Sequence, residues 1–242
     1  MQKALNWGII RMTSETTHAA SRSFVCGEDY GISVLGVISK EFHLPYFKLE
    51  DISARRIMVE KAAEGLIIEG KLIGKERDAE WMALQLLRVK NGCEEEVWKL
   101  NEIRRLLGDE IHNPYSKTKV PTFGPFALLF YELRPLHHEN TTLYRGCQLS
   151  DDLIERYRQV STSGLNIFQA FTSTSRNKEA AECFGNVLME IDIDSYVGID
   201  LSLVSVFPDE EEVLLFADFY FYVQSCVFDN VKKKWIIRIK SA

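Results

Sequence analysis

Up to about residue 140 the apolar positions recur every three or four residues; beyond it they alternate or gather in short runs. "DISARRIMVEKAAEGLI" sets Ile52, Ile57, Met58, Lys61, Ala62 and Leu66 at helical steps, with Asp51 or Ser53 as N-cap. "ERDAEWMALQLLRVKNG" repeats the pattern through Trp81, Leu84, Leu87 and Val89 and ends on "NG", a stop signal. "EEEVWKLNEIRRLLGDE" follows with Val97, Leu100, Ile103, Leu106 and Leu107. Its acids come first and its bases later, the polarity that suits a helix dipole. "FGPFALLFYELRPL" predicts a fourth, more buried helix, opened by Pro125 and closed by Pro135.

Past residue 140 the signal changes. "TTLYRG", "FQAFTSTS", "NVLMEIDI", "EEVLLFADFYFYVQSCVF" and "KKWIIRIK" are β-branched or aromatic runs that predict strands. Two short helices interrupt them: "SDDLIERYRQVSTSG", with Ser150 as cap and Gly164 as stop, and "NKEAAECFG". Helices first and strands afterwards predict an α+β fold rather than a doubly wound sheet. There is no internal repeat and no low-complexity linker. Residues 1–50 read as an extension of unclear role, in which "FVCGEDYGISVLGVISKEFHLPYF" leaves room for one or two strands.

Composition narrows the classes. The 242 residues are 46% hydrophobic and 26% charged, so the chain can bury a core. A net charge of -6 argues against nucleic acid or an anionic membrane surface as partner. The one basic run, Lys232 to Lys234, falls where a hairpin turn is expected. No stretch is long and apolar enough to span a bilayer, and the first twenty residues do not read as a secretory signal. The five cysteines (Cys26, Cys93, Cys147, Cys183 and Cys226) are odd in number, dispersed and free of CxxC spacing, which argues against a disulfide framework and a zinc site. The expectation is a reduced, cytoplasmic protein, or one exported as an effector without a visible signal peptide.

Three short motifs carry candidate chemistry. In "LYRG", Arg145 at a strand end offers a planar fork of donors beside the exposed backbone of Gly146, which suits a diphosphate or an ordinary ion pair. In "FTSTS", strand alternation places Ser173 and Ser175 on one face and Thr172 and Thr174 on the other. Small hydroxyls there leave room for a ligand and can orient a carboxylate; equally, Ser175 is placed to cap the helix that follows. In "FPDEEEVLL" four acids run into an apolar stretch. A strand starting near Glu210 would send Glu210 and Glu212 to one side, where two carboxylates can divide labour; a solvated turn is the plainer reading.

Taken together, the Arg, the Ser-Thr-Ser and the Glu-x-Glu, in this order and each at a strand, resemble the R-S-E class of ADP-ribosyltransferases. The likeness spans about residues 125–242 and is greatest to the arginine-directed mono-ADP-ribosyltransferases of the cell-surface and binary-toxin type. It implies a catalytic domain over 51–242, with a helical lobe of about 51–138 packed on a two-sheet β-sandwich of about 139–242 that binds NAD. It further implies NAD as co-substrate, no metal, and a target protein bearing an acceptor arginine. Arg145 would bind the NAD diphosphate or the adjacent ribose, and the Gly146 backbone the nicotinamide carboxamide. Ser173 would position the catalytic carboxylate, Glu212, while Thr174 and Ser175 support the pocket. Phe184 would stack on nicotinamide, or else simply pack its short helix. Glu210 matches the first acid of Glu-x-Glu, which goes with arginine as acceptor, and Phe207 would touch the target protein.

The loop after "FTSTS" shows no obvious second arginine for the phosphates. Rival readings are an NAD glycohydrolase, a transferase with another acceptor, an inactive NAD-binding module, and a cysteine hydrolase using Cys26 with His43 or His18.

Overall fold

The computed structural model describes residues 24–26, 42, 52–88, 99–103, 120–131, 140–160, 164–168, 171–194, 198–202, 208–216 and 219–242. Among the described residues the N-terminal lobe holds three helices, α1 (Ile52–Leu72), α2 (Glu76–Leu86) and α3 (Val120–Tyr131). A helical stretch at 99–103 buries Leu100 and Ile103 with them. Met58, Val59, Ala62, Ala63 and Leu66 form the inner stripe of α1, a spacing that keeps one face inward at 3.6 residues per turn. Gly65 is what lets α3 approach, since a Cβ there would lie 1.9 Å from the Thr122 carbonyl oxygen. At that crossing Thr122 donates its hydroxyl to the buried Glu69 carboxylate at 2.6 Å.

Two helix expectations need correction. Trp81, Leu84 and Leu87 do not form the inner face of α2; they are exposed, and Ala79, Met82, Ala83 and Leu86 are buried instead. The reason is closeness: a Cβ on Gly70 of α1 would sit 2.2 Å from the Ala79 Cβ, so only small residues fit that seam. Pro125 does not open α3 but lies inside it, after a first turn that already holds Pro121. Each fully buried phenylalanine of this helix, Phe123 and Phe126, is worth about 1.5–3 kcal/mol of burial.

The rest of the described residues form a mixed sheet with two short helices. Its strands are β1 (Phe24–Cys26), β2 (Thr141–Cys147), β3 (Leu165–Phe168), β4 (Thr172–Ser175), β5 (Val187–Ile193), β6 (Gly198–Asp200), β7 (Glu212–Leu215), β8 (Phe219–Asp229) and β9 (Lys234–Ser241). Helix α4 (Asp151–Gln159) follows β2, and α5 (Lys178–Glu182) follows β4. The sheet order is β1-β3-β8-β9-β5-β2-β4-β7-β6. Every pairing is antiparallel except β5 with β9. Residues 24–26 of the N-terminal stretch therefore belong to the sheet edge.

The expected two sheets are one hydrogen-bonded ladder with a weak joint. β2 meets β4 through a single residue pair, Tyr144 with Ser175, whereas β2 meets β5 through seven. Strand β7 is buried along its length because its two faces serve two cores. Leu214 joins the helical lobe with Phe171, Ile199 and Leu201. Val213 and Leu215 join the core of the larger part with Leu143, Ile191, Phe221 and Ile237. The run "EEVLLFADFYFYVQSCVF" is thus two strands. The lysine run lies at the β8–β9 turn, as the sequence predicts, with Lys233 in the left-handed region at φ 55°.

Candidate active site

The joint between the two parts of the sheet gathers the three motifs. In the β4–β7 pairing Ser175 stands opposite Glu212 and Ser173 opposite Leu214. Ser173 and Glu212 are therefore diagonal neighbours on one face, within reach of short side chains. The Ser173 hydroxyl donates to Glu212 Oε1 at 2.7 Å. From the other side of the joint, Arg145 Nη1 donates to the Ser173 carbonyl oxygen, also at 2.7 Å. Arg145, Ser173 and Glu212 are thereby connected in sequence by two hydrogen bonds. Glu212 is only 7% exposed, so its charge acts through a poorly screening surrounding.

Gly146 is pressed against the end of α5. A Cβ there would come within 1.8 Å of the Ala181 carbonyl oxygen and 2.9 Å of the Phe184 Cβ, so no larger residue fits without moving backbone. The turn carrying Phe184 is held from several directions. Lys234 Nζ donates to the Phe184 carbonyl oxygen at 3.1 Å and to that of Gly185. Asn186 accepts from the Leu149 amide at 2.8 Å and donates to the Leu149 carbonyl oxygen at 2.9 Å. Phe184, half-buried, stands beside Gly146 on a fixed support.

The acidic stretch differs from the sequence expectation. No strand starts at Glu210. Pro208–Glu210 form a 3-10 turn, Glu211 takes a left-handed conformation at φ 45°, and β7 begins at Glu212. Strand alternation therefore does not relate Glu210 to Glu212. The turn solves the crowding of four acids: Asp209 and Glu211 face solvent, Glu210 is half-buried, and Glu212 alone enters the sheet. A left-handed non-glycine residue costs about 1–2 kcal/mol, and the surrounding bonds hold it in place.

Those bonds come from the "STSRN" segment and its neighbours. The Asp209 carbonyl oxygen accepts from Asn177 Nδ2 at 3.2 Å, and that of Glu210 accepts from the Ser175 hydroxyl at 2.5 Å. The Glu211 carbonyl oxygen accepts from the Arg176 amide at 3.2 Å, and that of Glu212 from the Leu201 amide at 2.9 Å. The Val213 carbonyl oxygen accepts from the Thr174 hydroxyl at 2.5 Å. Thr174 and Ser175 thus brace the strand and turn that carry the acids. Ser175 is not the cap of α5; Asn177 is, its Oδ1 accepting from the Ala180 amide at 3.1 Å.

Arg176 is the residue the sequence reading overlooks, although it follows "FTSTS" directly. Its guanidinium meets Asp200 Oδ2 at 2.7 Å, and Asp200 Oδ1 accepts from the amide and hydroxyl of Ser202. Burial pushes the Asp200 carboxyl up, but the Arg176 and Ser202 hydrogen bonds outweigh it and hold it below the usual range. The Cys147 thiol, two residues past Arg145, is pushed up by burial and partly drawn back by Arg145. Phe207, His18, His43 and Cys93 lie outside the described residues, as does the side chain of Cys26. Among the described residues there is no cluster of His, Cys, Asp and Glu suited to a metal, and no helix long and apolar enough to cross a membrane.

The helical lobe stands against a mixed sheet, and Arg145, Ser173 and Glu212 are joined at that sheet's weak seam. Residues 82–242 match the family model described as NAD:arginine ADP-ribosyltransferase, and the chain belongs to that family.

Mav of Mycobacterium avium, whose name carries NAD(+)–arginine ADP-ribosyltransferase, is 39% identical over 100 residues, 39% of this chain. The match spans 11% of that relative's length. Among solved structures, exoenzyme S of Pseudomonas aeruginosa, in complex with human 14-3-3 protein beta and bound to carba-NAD, superposes with a TM-score of 0.52 at 15% identity. The superposition covers 76% of this chain and 88% of that one. The type III effector XopAI of Xanthomonas axonopodis pv. citri gives 0.52 at 14% identity, over 86% and 95% of the two chains. An ADP-ribosyltransferase of Clostridium botulinum gives 0.50 at 13% identity, over 69% and 94%.

Proposed function

We propose that the chain transfers ADP-ribose from NAD to the guanidino group of an arginine on a target protein and releases nicotinamide. The observation that carries this is the Arg145–Ser173–Glu212 chain, built of two 2.7 Å hydrogen bonds across the seam of the sheet. Family membership supports NAD as the co-substrate. The name of the M. avium relative supports arginine as acceptor, and so does the Glu210-x-Glu212 spacing.

The chemistry follows from charge. When the bond between nicotinamide and the ribose C1′ breaks, nicotinamide leaves with the bonding electron pair and C1′ becomes oxocarbenium-like. A fixed carboxylate stabilises that charge best when its orientation is set beforehand. Glu212 takes this role, its carboxylate oriented by the Ser173 hydroxyl. Arg145 presents remaining guanidinium donors to the diphosphate or the ribose beside it. The bare backbone at Gly146 receives the nicotinamide carboxamide, and the Phe184 ring covers the nicotinamide face. Thr174 and Ser175 keep the pocket wall in place.

The acceptor arginine arrives as a cation and must lose a proton as its nitrogen donates a lone pair to C1′. Glu210 draws the guanidinium in and accepts that proton. Phe207, which precedes the same turn in the sequence, contacts the target surface. A net charge of -6 favours a protein acceptor over nucleic acid. The catalytic domain of this reading runs over 51–242, with the helical lobe as its first part, and residues 24–26 add the edge strand of its sheet.

The test uses NAD labelled in its adenylate half, with agmatine as a minimal guanidine. The expected result is nicotinamide release matched by label on agmatine. Nicotinamide release without labelled agmatine would make the protein a glycohydrolase or a transferase with another acceptor. Neither product would make it a binding module.

A further inference from the structure

Asn177 is bonded to two parts of the site at once. Its Oδ1 caps α5 by accepting from the Ala180 amide at 3.1 Å, and its Nδ2 donates to the Asp209 carbonyl oxygen at 3.2 Å. Helix α5 ends at the turn that carries Phe184 and presses on Gly146. Asp209 sits in the middle of the 3-10 turn that presents Glu210. One amide side chain therefore ties the element beside Gly146 to the element that bears the first acid.

The two acids differ in how firmly they are held. Glu212 starts a buried strand, takes the Ser173 hydroxyl on its carboxylate and has its own carbonyl fixed by the Leu201 amide. Pro208–Glu210 include no buried residue, and a set of hydrogen bonds holds the turn they form. The Glu211 amide closes the turn on the Pro208 carbonyl oxygen at 3.0 Å. The Ser175 hydroxyl and the Asn177 amide then fasten it to the β4–α5 corner.

Within the arginine-transfer reading above, on which this rests, we propose that Asn177 is a positioning residue that sets the Glu210 carboxylate for the incoming guanidine and so decides how ADP-ribose divides between guanidine and water. Releasing Asp209 lets the turn swing about Glu211 while Glu212 stays pinned by its strand. Cleavage of the nicotinamide bond then continues, and the acceptor no longer meets its base. An error of about 1 Å in such a position costs up to about a hundredfold in rate.

Two substitutions keep the α5 cap and remove the tether. Asn177→Ser leaves a good capping oxygen but is too short to reach Asp209, and it adds no charge. Asn177→Asp keeps shape and cap and replaces the donor by an acceptor. Both are compared with the parent for nicotinamide release without acceptor, label transferred to agmatine, the agmatine and NAD KM values, and thermal unfolding. The expected outcome is unfolding close to the parent's, NAD hydrolysis within about twofold, and transfer to agmatine lowered about tenfold, the agmatine KM rising and the NAD KM unchanged. If the parent transfers label and both variants keep its ratio of transfer to hydrolysis, including by losing both activities together, the inference is wrong and the function stands. If the parent releases nicotinamide but never labels agmatine, the acceptor reading falls and takes the inference with it.

Discussion

Ser173 reaches the Glu212 carboxylate at 2.7 Å although the strand register sets Ser175, not Ser173, opposite Glu212. The diagonal geometry matters because it leaves the directly opposed serine free for the Glu210 carbonyl oxygen. One strand of small hydroxyl residues thus serves both acids, the first through its backbone and the second through its carboxylate.

Glu212→Gln retains the shape of this arrangement and removes its charge. Nicotinamide release and transfer to agmatine are both expected to fall by about 10²–10³-fold, the usual loss when one preorganised electrostatic group is removed. Steady-state assays with NAD, with and without agmatine, measure it. A variant that still released nicotinamide at the parent's rate would take Glu212 out of the chemistry.

Glu210→Gln separates the acids. The half-buried Glu210 sits before the strand, on a turn of its own, so its neutralisation is expected to spare NAD hydrolysis to within a few-fold and to lower agmatine transfer about 10²-fold. Equal transfer by variant and parent would overturn the division of labour.

Much of this site is legible in the sequence alone, for a physical reason. Strand periodicity makes Ser173 and Ser175 share a face whatever the tertiary structure does, and the order of arginine, serine and glutamate survives as sequence. The misreadings have physical causes too. The inner face of α2 is set by how closely α1 approaches at Gly70 and Ala79, which outranks the larger side chains at Trp81 and Leu84. The start of β7 is set by Pro208 and the left-handed Glu211, a turn that a run of identical acids conceals. Arg176 escapes notice because its significance lies in Asp200, 24 residues away in the chain and adjacent only in the folded sheet.

Gly146→Ala tests the close approach at α5. The added methyl would meet the Ala181 carbonyl oxygen at 1.8 Å, backbone that cannot swing aside as a side chain would. The expected cost is about 1–3 kcal/mol of stability, with a rise in the NAD KM. Gly74→Ala is the control, since it meets nothing within 4 Å and carries only the strain of φ 70°. It is expected to cost about 1–2 kcal/mol and leave the NAD KM alone. Thermal unfolding and initial rates against NAD separate the two.

The Arg176–Asp200 pair gives the protein an acid-sensitive element close to the site. Asp200 is half-buried, and burial by itself would raise its pKa; the bonds from Arg176 and Ser202 outweigh that and keep it depressed in the folded state. A depressed folded pKa means the stabilisation is fully present above the unfolded value, about 3.9, and is lost as pH falls through the folded one. Glu190 behaves in the same sense: burial raises it, and the hydrogen bonds from Lys178 and Arg238 bring it down further. The unfolding temperature is therefore expected to hold from neutral pH to about 5 and to drop below about 4. In Asp200→Asn the midpoint at pH 7 should be lower and the acid limb shallower, with Glu190 and Asp229, whose carboxyls are also held down, supplying slope that remains. An acid limb of unchanged slope in that variant would mean that Asp200 binds its proton equally well folded and unfolded. The bond to Arg176 would then contribute nothing to holding the segment in which the Leu201 amide meets the Glu212 carbonyl oxygen.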